Sequence, residues 1–179
     1  MRNRRQWFCL MILLTVIGCG GNKDQYVSLW WPNNTLVNAS YIIADKLSQD
    51  LEINLSPDQP ILVASFVDVN NIEQSSSFGR MMAEYICSRL GQSGHTVVEM
   101  KLRDSIFIKE KAGEFLLSRN IKDIYAAYSA QAVVVGTYAR TKKEVLVSAK
   151  LVQADNSKIL ASCDLKMRLS RSLMDMFDF

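Results

Sequence analysis

The strongest constraint on the fold is a pair of segments near the C-terminus in which apolar and polar residues alternate. In the first segment the apolar positions on one side are Val145, Val147, Ala149 and Leu151. After the polar stretch 154–157, the corresponding positions of the second segment are Ile159, Ala161, Cys163, Leu165 and Met167. A period of two is that of a β-strand with one buried face. The two segments therefore predict an antiparallel hairpin with one face in water.

Upstream of this hairpin, buried strands alternate with amphipathic helices. The continuous apolar runs at 60–67 (PILVASFV) and 132–138 (AVVVGTY) predict interior strands, and 96–100 predicts a shorter one. Helical spacing of apolar residues appears between Val37 and Leu51 and again from Phe78 to Leu90, where a serine at 75, 76 or 77 can cap the helix.

Two further segments complete the pattern. Residues 110–130 predict one or two helices, and 106–108 predict either a strand or an edge turn. Gly136 lies inside an interior strand, where a side chain would crowd a neighbour. We therefore predict an α/β fold, with a mixed sheet, strand-helix-strand units, a C-terminal antiparallel hairpin and helices packed on the sheet.

The N-terminus has the three parts of a secretion signal. Arg2, Arg4 and Arg5 precede an apolar stretch, Trp7 to Ile17, that is too short to span a bilayer stably. The sequence Val16-Ile17-Gly18-Cys19 resembles the lipobox of bacterial lipoproteins. That resemblance implies cleavage between Gly18 and Cys19 and a diacylglycerol on the Cys19 thiol. It also implies that the new amino group of Cys19 is acylated with a fatty acid such as palmitate. The alternative is an uncleaved signal anchor in which Cys19 is an ordinary thiol.

The chain then divides into three predicted parts. Residues 1–18 are the signal peptide, 19–36 are a tether, and 37–179 are one domain long enough to hold a core. The tether contains Tyr26, Trp30 and Trp31, which we expect to dock on the domain itself. Since Gly20 replaces the Asp that commonly retains lipoproteins at the inner membrane, the lipobox resemblance favours the outer membrane.

Charge and motifs exclude several classes of function. The chain has 21 Lys and Arg against 18 Asp and Glu, and three of the arginines lie in the signal, so the mature domain is formally neutral. This gives no electrostatic basis for binding nucleic acid. His95 is the single histidine, and no catalytic serine, zinc or phosphate-loop motif is present. The stretch 68–73 lacks the glycine of a calcium loop.

We therefore predict a protein that is not an enzyme and has no metal, cofactor or small-molecule substrate. Cys87 and Cys163 remain outside the signal and the lipidated residue. The sequence leaves open whether they form a disulfide or stay free thiols.

The predicted partner surface is the polar loop and helix start between residues 68 and 80. Such a place, between the end of a buried strand and the start of a helix, often forms sites in α/β domains. The candidate residues are Asp68, Asn70, Glu73, Gln74, Ser75, Ser76 and Arg80. The alternative is that the serines only cap the helix and Glu73 only meets solvent. A second candidate is the apolar C-terminus, which either packs back on the domain or forms an apolar hook: Leu173, Met174, Met176, Phe177 and Phe179.

Several blocks of the domain together resemble the FlgO family of envelope lipoproteins. The resemblance spans about residues 41–169, and its blocks are 61–68 (ILVASFVD), 73–80 (EQSSSFGR), 97–103 (VVEMKLR), 113–119 (GEFLLSR), 130–138 (AQAVVVGTY) and 147–152 (VSAKLV). It implies a fold like the N-terminal domain of TolB. It also implies an outer-membrane protein, facing the periplasm, that supports the flagellum and motility by binding envelope or flagellar proteins and by self-association.

A regulatory lipoprotein of the LpoB type, which contacts an envelope enzyme such as a peptidoglycan synthase, is the alternative function. The predicted tether, residues 19–36, reaches at most about 60 Å when fully extended. This length favours a partner near the membrane.

Overall fold

The computed structural model describes residues 26–29, 35–51, 56, 58–72, 75–100, 108–111, 114–117 and 127–177. The elements in chain order are β1 (Tyr26–Leu29), α1 (Leu36–Leu51), β2 (Ile61–Ala64), β3 (Val67–Asp68), α2 (Ser77–Gln92), β4 (Val97–Met100), β5 (Ile108–Lys111), β6 (Glu114–Leu117), β7 (Ala132–Arg140), β8 (Glu144–Gln153), β9 (Ile159–Arg168) and α3 (Arg171–Met174).

The main sheet is mixed, with strand order β1-β9-β8-β7-β2-β4 and with β3 beside β7. β8 is antiparallel to both of its neighbours, whereas the other pairings in this sheet are parallel. The last residues of the parallel strands therefore meet at one end, here called the carboxyl end, where β7 and β9 finish. Their first residues meet at the opposite end, called the amino end. This architecture confirms the predicted α/β fold and mixed sheet.

The predicted C-terminal hairpin is β8 and β9, with Val145 opposite Met167 and Ala149 opposite Cys163. The predicted apolar positions of both strands are buried, except one. Ile159 is 47% exposed, because the register shifts between Leu151 and Val152 and ends the strict alternation. Its predicted burial was wrong for this reason.

The helices cover one face of the sheet. Fully buried side chains of α1 and α2, which include Ile43, Leu47, Met82 and Ile86, join the inward residues of the strands in the larger core. A smaller apolar cluster is formed by the alternate residues of β2 and β7 that point to the other face of the sheet, among them Leu62 and Val133. These two strands are thus buried on both faces, which explains why their sequences are continuously apolar.

Two predictions from the sequence need correction. Tyr26–Leu29, inside the predicted tether, form β1 and pair in parallel with β9. Residues 108–111 and 114–117 form the two-stranded antiparallel sheet β5–β6, whereas a helix was predicted from residue 110 onward; Ile108, for which a strand or an edge turn was predicted, begins β5. Residues 118–126 of that helical prediction lie outside the described residues. In both cases backbone pairing between strands overrides the local pattern.

Candidate protein-interaction surface

The loop that follows β3 begins the predicted partner surface. β3 pairs with β7, with Asp68 opposite Tyr138. The Asp68 carboxylate accepts hydrogen bonds from the backbone N–H of Asn70 at 2.8 Å and from its side-chain Nδ2 at 3.0 Å. These bonds fix a tight turn, as short acidic side chains commonly do. Val69 stands 50% exposed at its tip.

The start of α2 is held by buried hydrogen bonds. Ser76 is its N-cap, and its Oγ accepts from the backbone N–H of Gly79 at 3.2 Å and from the Tyr138 hydroxyl at 2.6 Å. This confirms the capping prediction. Ser76 is only 1% exposed, so it cannot touch a partner and leaves the candidate surface. Desolvation raises the pKa of Tyr138, and its hydrogen bond to Ser76 acts in the opposite direction.

Of the other predicted residues, one stabilises the fold and another is exposed. Ser75 is half-buried and its Oγ donates to the Phe66 carbonyl at 2.9 Å. Arg80 is exposed, and its guanidinium donates to the Ser75 carbonyl and, at 3.1 Å, to Ser77 Oγ. Glu73 and Gln74 lie outside the described residues. Of the predicted residues that the structure describes, Asp68, Asn70 and Arg80 therefore remain as candidates for contact with a partner.

A close backbone contact sets the position of α2. The backbone N–H of Phe66 donates to the Gly79 carbonyl at 3.1 Å. A Cβ on Gly79 would lie 1.9 Å from the Phe66 carbonyl oxygen, and one on Gly136 would lie 2.0 Å from the Phe66 ring. The crowding predicted at Gly136 is thus confirmed. Only glycine allows both approaches.

The C-terminal segment packs back on the domain. The Phe177 ring stacks on Phe78 at a centroid distance of 4.6 Å and lies 5.5 Å from Tyr138. The backbone N–H of Phe78 donates to the Met176 carbonyl at 2.9 Å. Of the two alternatives that the sequence left open, packing on the domain is the one observed for Leu173 and Phe177. Met174 remains 42% exposed, and Phe179 lies outside the described residues.

Next to this aromatic cluster lies an open groove of about 590 Å³. It is lined by Arg140, Thr141, Lys142, Leu169, Met174 and Asp175. The Arg140 guanidinium lies 5.4 Å from the Phe177 ring centroid, a cation–π distance. Sequence reasoning missed this groove. The available signal was the basic run Arg140-Thr141-Lys142-Lys143 at the turn of the strongly predicted strands.

In the part of the chain that the structure describes, the cysteines and the metal-ligating side chains form no second site. Cys87 and Cys163 are free thiols. Burial, with help from Glu99 and Glu84, raises the pKa of Cys87 to about 12, and burial also raises the pKa of Cys163. Both thiols therefore stay protonated and poorly nucleophilic at neutral pH. Within the described ranges, no three His, Cys, Asp or Glu side chains are grouped so that they could hold a metal ion. In the same part of the chain, no helix is both long and apolar enough to cross a membrane.

One known protein family matches most of the chain. The profile of the FlgO protein family matches residues 41–172. The chain belongs to the FlgO family. No curated protein sequence matches it.

Solved structures give the fold relationship. The LpoB C-terminal domain from Salmonella enterica is similar with a TM-score of 0.53 and 16% identity, over 75% of this chain and 98% of that chain. The LpoB C-terminal domain from Escherichia coli gives 0.48 and 15%, over 76% and 98%. Lipoprotein GNA1162 from Neisseria meningitidis gives 0.41 and 21%, over 65% and 88%. At 16% identity, the likeness to the Salmonella domain shows a shared fold.

Proposed function

We propose that this chain is an outer-membrane lipoprotein, anchored through Cys19 and facing the periplasm, that supports the flagellum and motility by binding other proteins. The observation that carries the proposal is membership of the FlgO family over residues 41–172. The lipobox that ends at Cys19 supplies the anchor.

The lipid anchor follows from simple energetics. Each buried methylene contributes about 0.8 kcal/mol, so that one acyl chain binds a protein marginally and two or more bind it firmly. A diacylglycerol on the Cys19 thiol, together with an acylated amino group, exceeds this requirement. The domain then stays in one leaflet without a spanning helix.

The structure supports a partner close to that membrane. Because Tyr26 already belongs to β1, the residues between Cys19 and Tyr26 form the whole connection. Fully extended, they reach about 25 Å at roughly 3.3–3.6 Å per residue. A domain held this close to its bilayer suits neighbouring envelope or flagellar proteins, including further copies of itself.

A regulatory lipoprotein that contacts an envelope enzyme is the second candidate. The observation that favours it is the fold shared with the LpoB C-terminal domain. A shared fold carries no function by itself. The short connection between Cys19 and Tyr26 also disfavours a partner on the far side of the periplasm, so this candidate ranks second.

Swimming in soft agar tests the proposal. A deletion strain would be complemented with the wild-type chain, Cys19→Ala or Cys9→Ala. The last variant is the matched control, because Phe8 precedes Cys9 where a lipobox needs a small residue. We expect the wild type and Cys9→Ala to restore the swimming radius, and Cys19→Ala to fail at equal protein level.

Normal swimming of the deletion strain, with intact flagella by electron microscopy, would contradict the flagellar role. Cell-wall synthesis in that strain would then be measured, because a defect there would favour the regulatory candidate. Full rescue by Cys19→Ala would contradict the need for an anchor.

A further inference from the structure

We propose that the groove between the β7–β8 turn and α3 binds an acidic, partly apolar segment of a partner protein. The proposal rests on the proposed function in one respect, namely that the chain works by binding proteins. It assigns the contact to a surface outside the sequence-predicted candidate residues and states the chemistry of what binds there.

The lining of the groove combines two kinds of side chain. Arg140 and Lys142 supply positive charge, while Leu169 and the 42% exposed Met174 supply apolar contact. Asp175 also lines the groove and is its acidic member. Lys143 and Arg171 are exposed nearby on the same turn and helix. A peptide with alternating carboxylates and apolar side chains would be complementary to both the basic and the apolar side chains of the groove.

The groove is preorganised. Thr141 Oγ1 accepts from the backbone N–H of Glu144 at 2.9 Å and donates to the Glu144 carbonyl at 2.9 Å, which fixes the β7–β8 turn. The backbone N–H of Leu169 donates to the Lys143 carbonyl at 2.8 Å. On the other side, Phe177 is stacked in the aromatic cluster and lies under Arg140. A rigid groove loses little conformational entropy when a partner binds.

The combination of basic and apolar side chains in the groove fits a protein segment, and β1 leads toward the end of the sheet where the groove lies. β1 enters the sheet at Tyr26, opposite Asp164, and runs toward the carboxyl end, where Leu29 lies opposite Met167. The groove lies at this carboxyl end, downstream along β1 from the side at which the anchored residues join the sheet.

Peptide binding to the full chain, purified in an uncharged detergent, tests the proposal. The probe is a fluorescein-labelled peptide of alternating Glu and Leu, and the reference peptide has Gln in place of Glu. We compare the wild type with Lys142→Glu and with Lys158→Glu, a charge reversal at an exposed lysine of the β8–β9 turn, at the amino end. Circular dichroism verifies that all three chains are folded.

Fluorescence anisotropy would measure the affinities, and the expected results are as follows. The wild type binds the Glu peptide more tightly than the Gln peptide, and binding weakens as salt increases. Lys142→Glu binds the Glu peptide about fivefold or more weakly, because an attractive charge becomes repulsive. Lys158→Glu stays within about twofold of the wild type.

Three results would overturn the proposal: equal affinity for the two peptides, no loss in Lys142→Glu, or an equal loss in both variants. Phosphatidylglycerol vesicles form a separate arm. If vesicles and not the Glu peptide bind, and Lys142→Glu abolishes that binding, the groove recognises lipid headgroups. Failure in this assay leaves the swimming experiment unaffected, so the two proposals can fail separately.

Discussion

The two ends of the sheet are closed by different contacts, and they differ in what they leave exposed. At the amino end, the Gln131 side chain donates to the carbonyls of Ser56 and Gln59, each at 2.6 Å, and accepts from the Ser56 N–H at 2.8 Å. At the carboxyl end, a buried hydrogen bond between Tyr138 and Ser76 and an aromatic cluster around Phe177 close the core.

The exposed residues of the two ends also differ. The amino end presents separate charges of both signs, namely Asp58, Asp155 and Lys158. The carboxyl end presents a groove with clustered basic residues and apolar side chains. One end therefore closes the fold, whereas the other closes the fold and also carries the groove that we propose as a binding surface.

The largest effect is expected from Gly79→Ala at the carboxyl end. Its Cβ would lie 1.9 Å from a backbone oxygen that cannot move without shifting β2 and the residues after it. We expect a loss of about 3 kcal/mol or more in the free energy of unfolding, measured by urea denaturation with circular dichroism.

Gly91→Ala in the same helix is the matched control, since its Cβ would meet nothing within 4 Å. It should raise the free energy of unfolding by about 0.5–1 kcal/mol, the ordinary helix preference for alanine. Equal effects of the two substitutions would contradict the close packing at Gly79.

A smaller effect is expected from Gln131→Ala at the amino end. The substitution removes hydrogen bonds that tie the loop before β2 to β7, and we expect a loss of about 1–2 kcal/mol in the free energy of unfolding. Gln92→Ala, at an exposed position of α2, should change stability by less than about 0.5 kcal/mol.

The same variant sharpens the contrast between the ends. Gln131→Ala should leave binding of the Glu peptide unchanged, because it acts at the end opposite the groove. A loss of peptide binding without unfolding would show that the two ends are coupled, against the division drawn above.

The sequence predicted the parts of the fold that depend on local pattern. The strands β2, β7, β8 and β9 were recognisable because burial on one or both faces leaves a period of two or a continuous apolar run. Helix α2 was recognisable from its apolar face and its serine cap. The position of the cap was settled only by the structure, which selects Ser76 from three adjacent serines.

The parts that were missed depend on contacts distant in sequence or on weak turn signals. β1 exists through pairing with β9, near the other end of the chain. β5 and β6 contain helix-forming Lys, Glu and Leu, but two residues, Ala112 and Gly113, separate Lys111 from Glu114, and a glycine in such a short connection is typical of a hairpin.

For the predicted partner surface, the sequence indicated where its segments lie in the fold but not their contacts. The loop after β3 and the start of α2 do lie at the carboxyl end of the sheet. The burial of Ser76 depends on Tyr138, which comes from a distant strand. The groove requires β7, β9 and α3 to converge, and no local pattern encodes that convergence.

Anchoring of the domain at Cys19 is tested most directly by metabolic labelling with an alkyne analogue of palmitate. We predict labelled wild-type protein and labelled Cys9→Ala, both in the outer-membrane fraction, and no label on Cys19→Ala at equal protein level. Wild-type protein that carries no label, or label that persists in Cys19→Ala, would contradict the account.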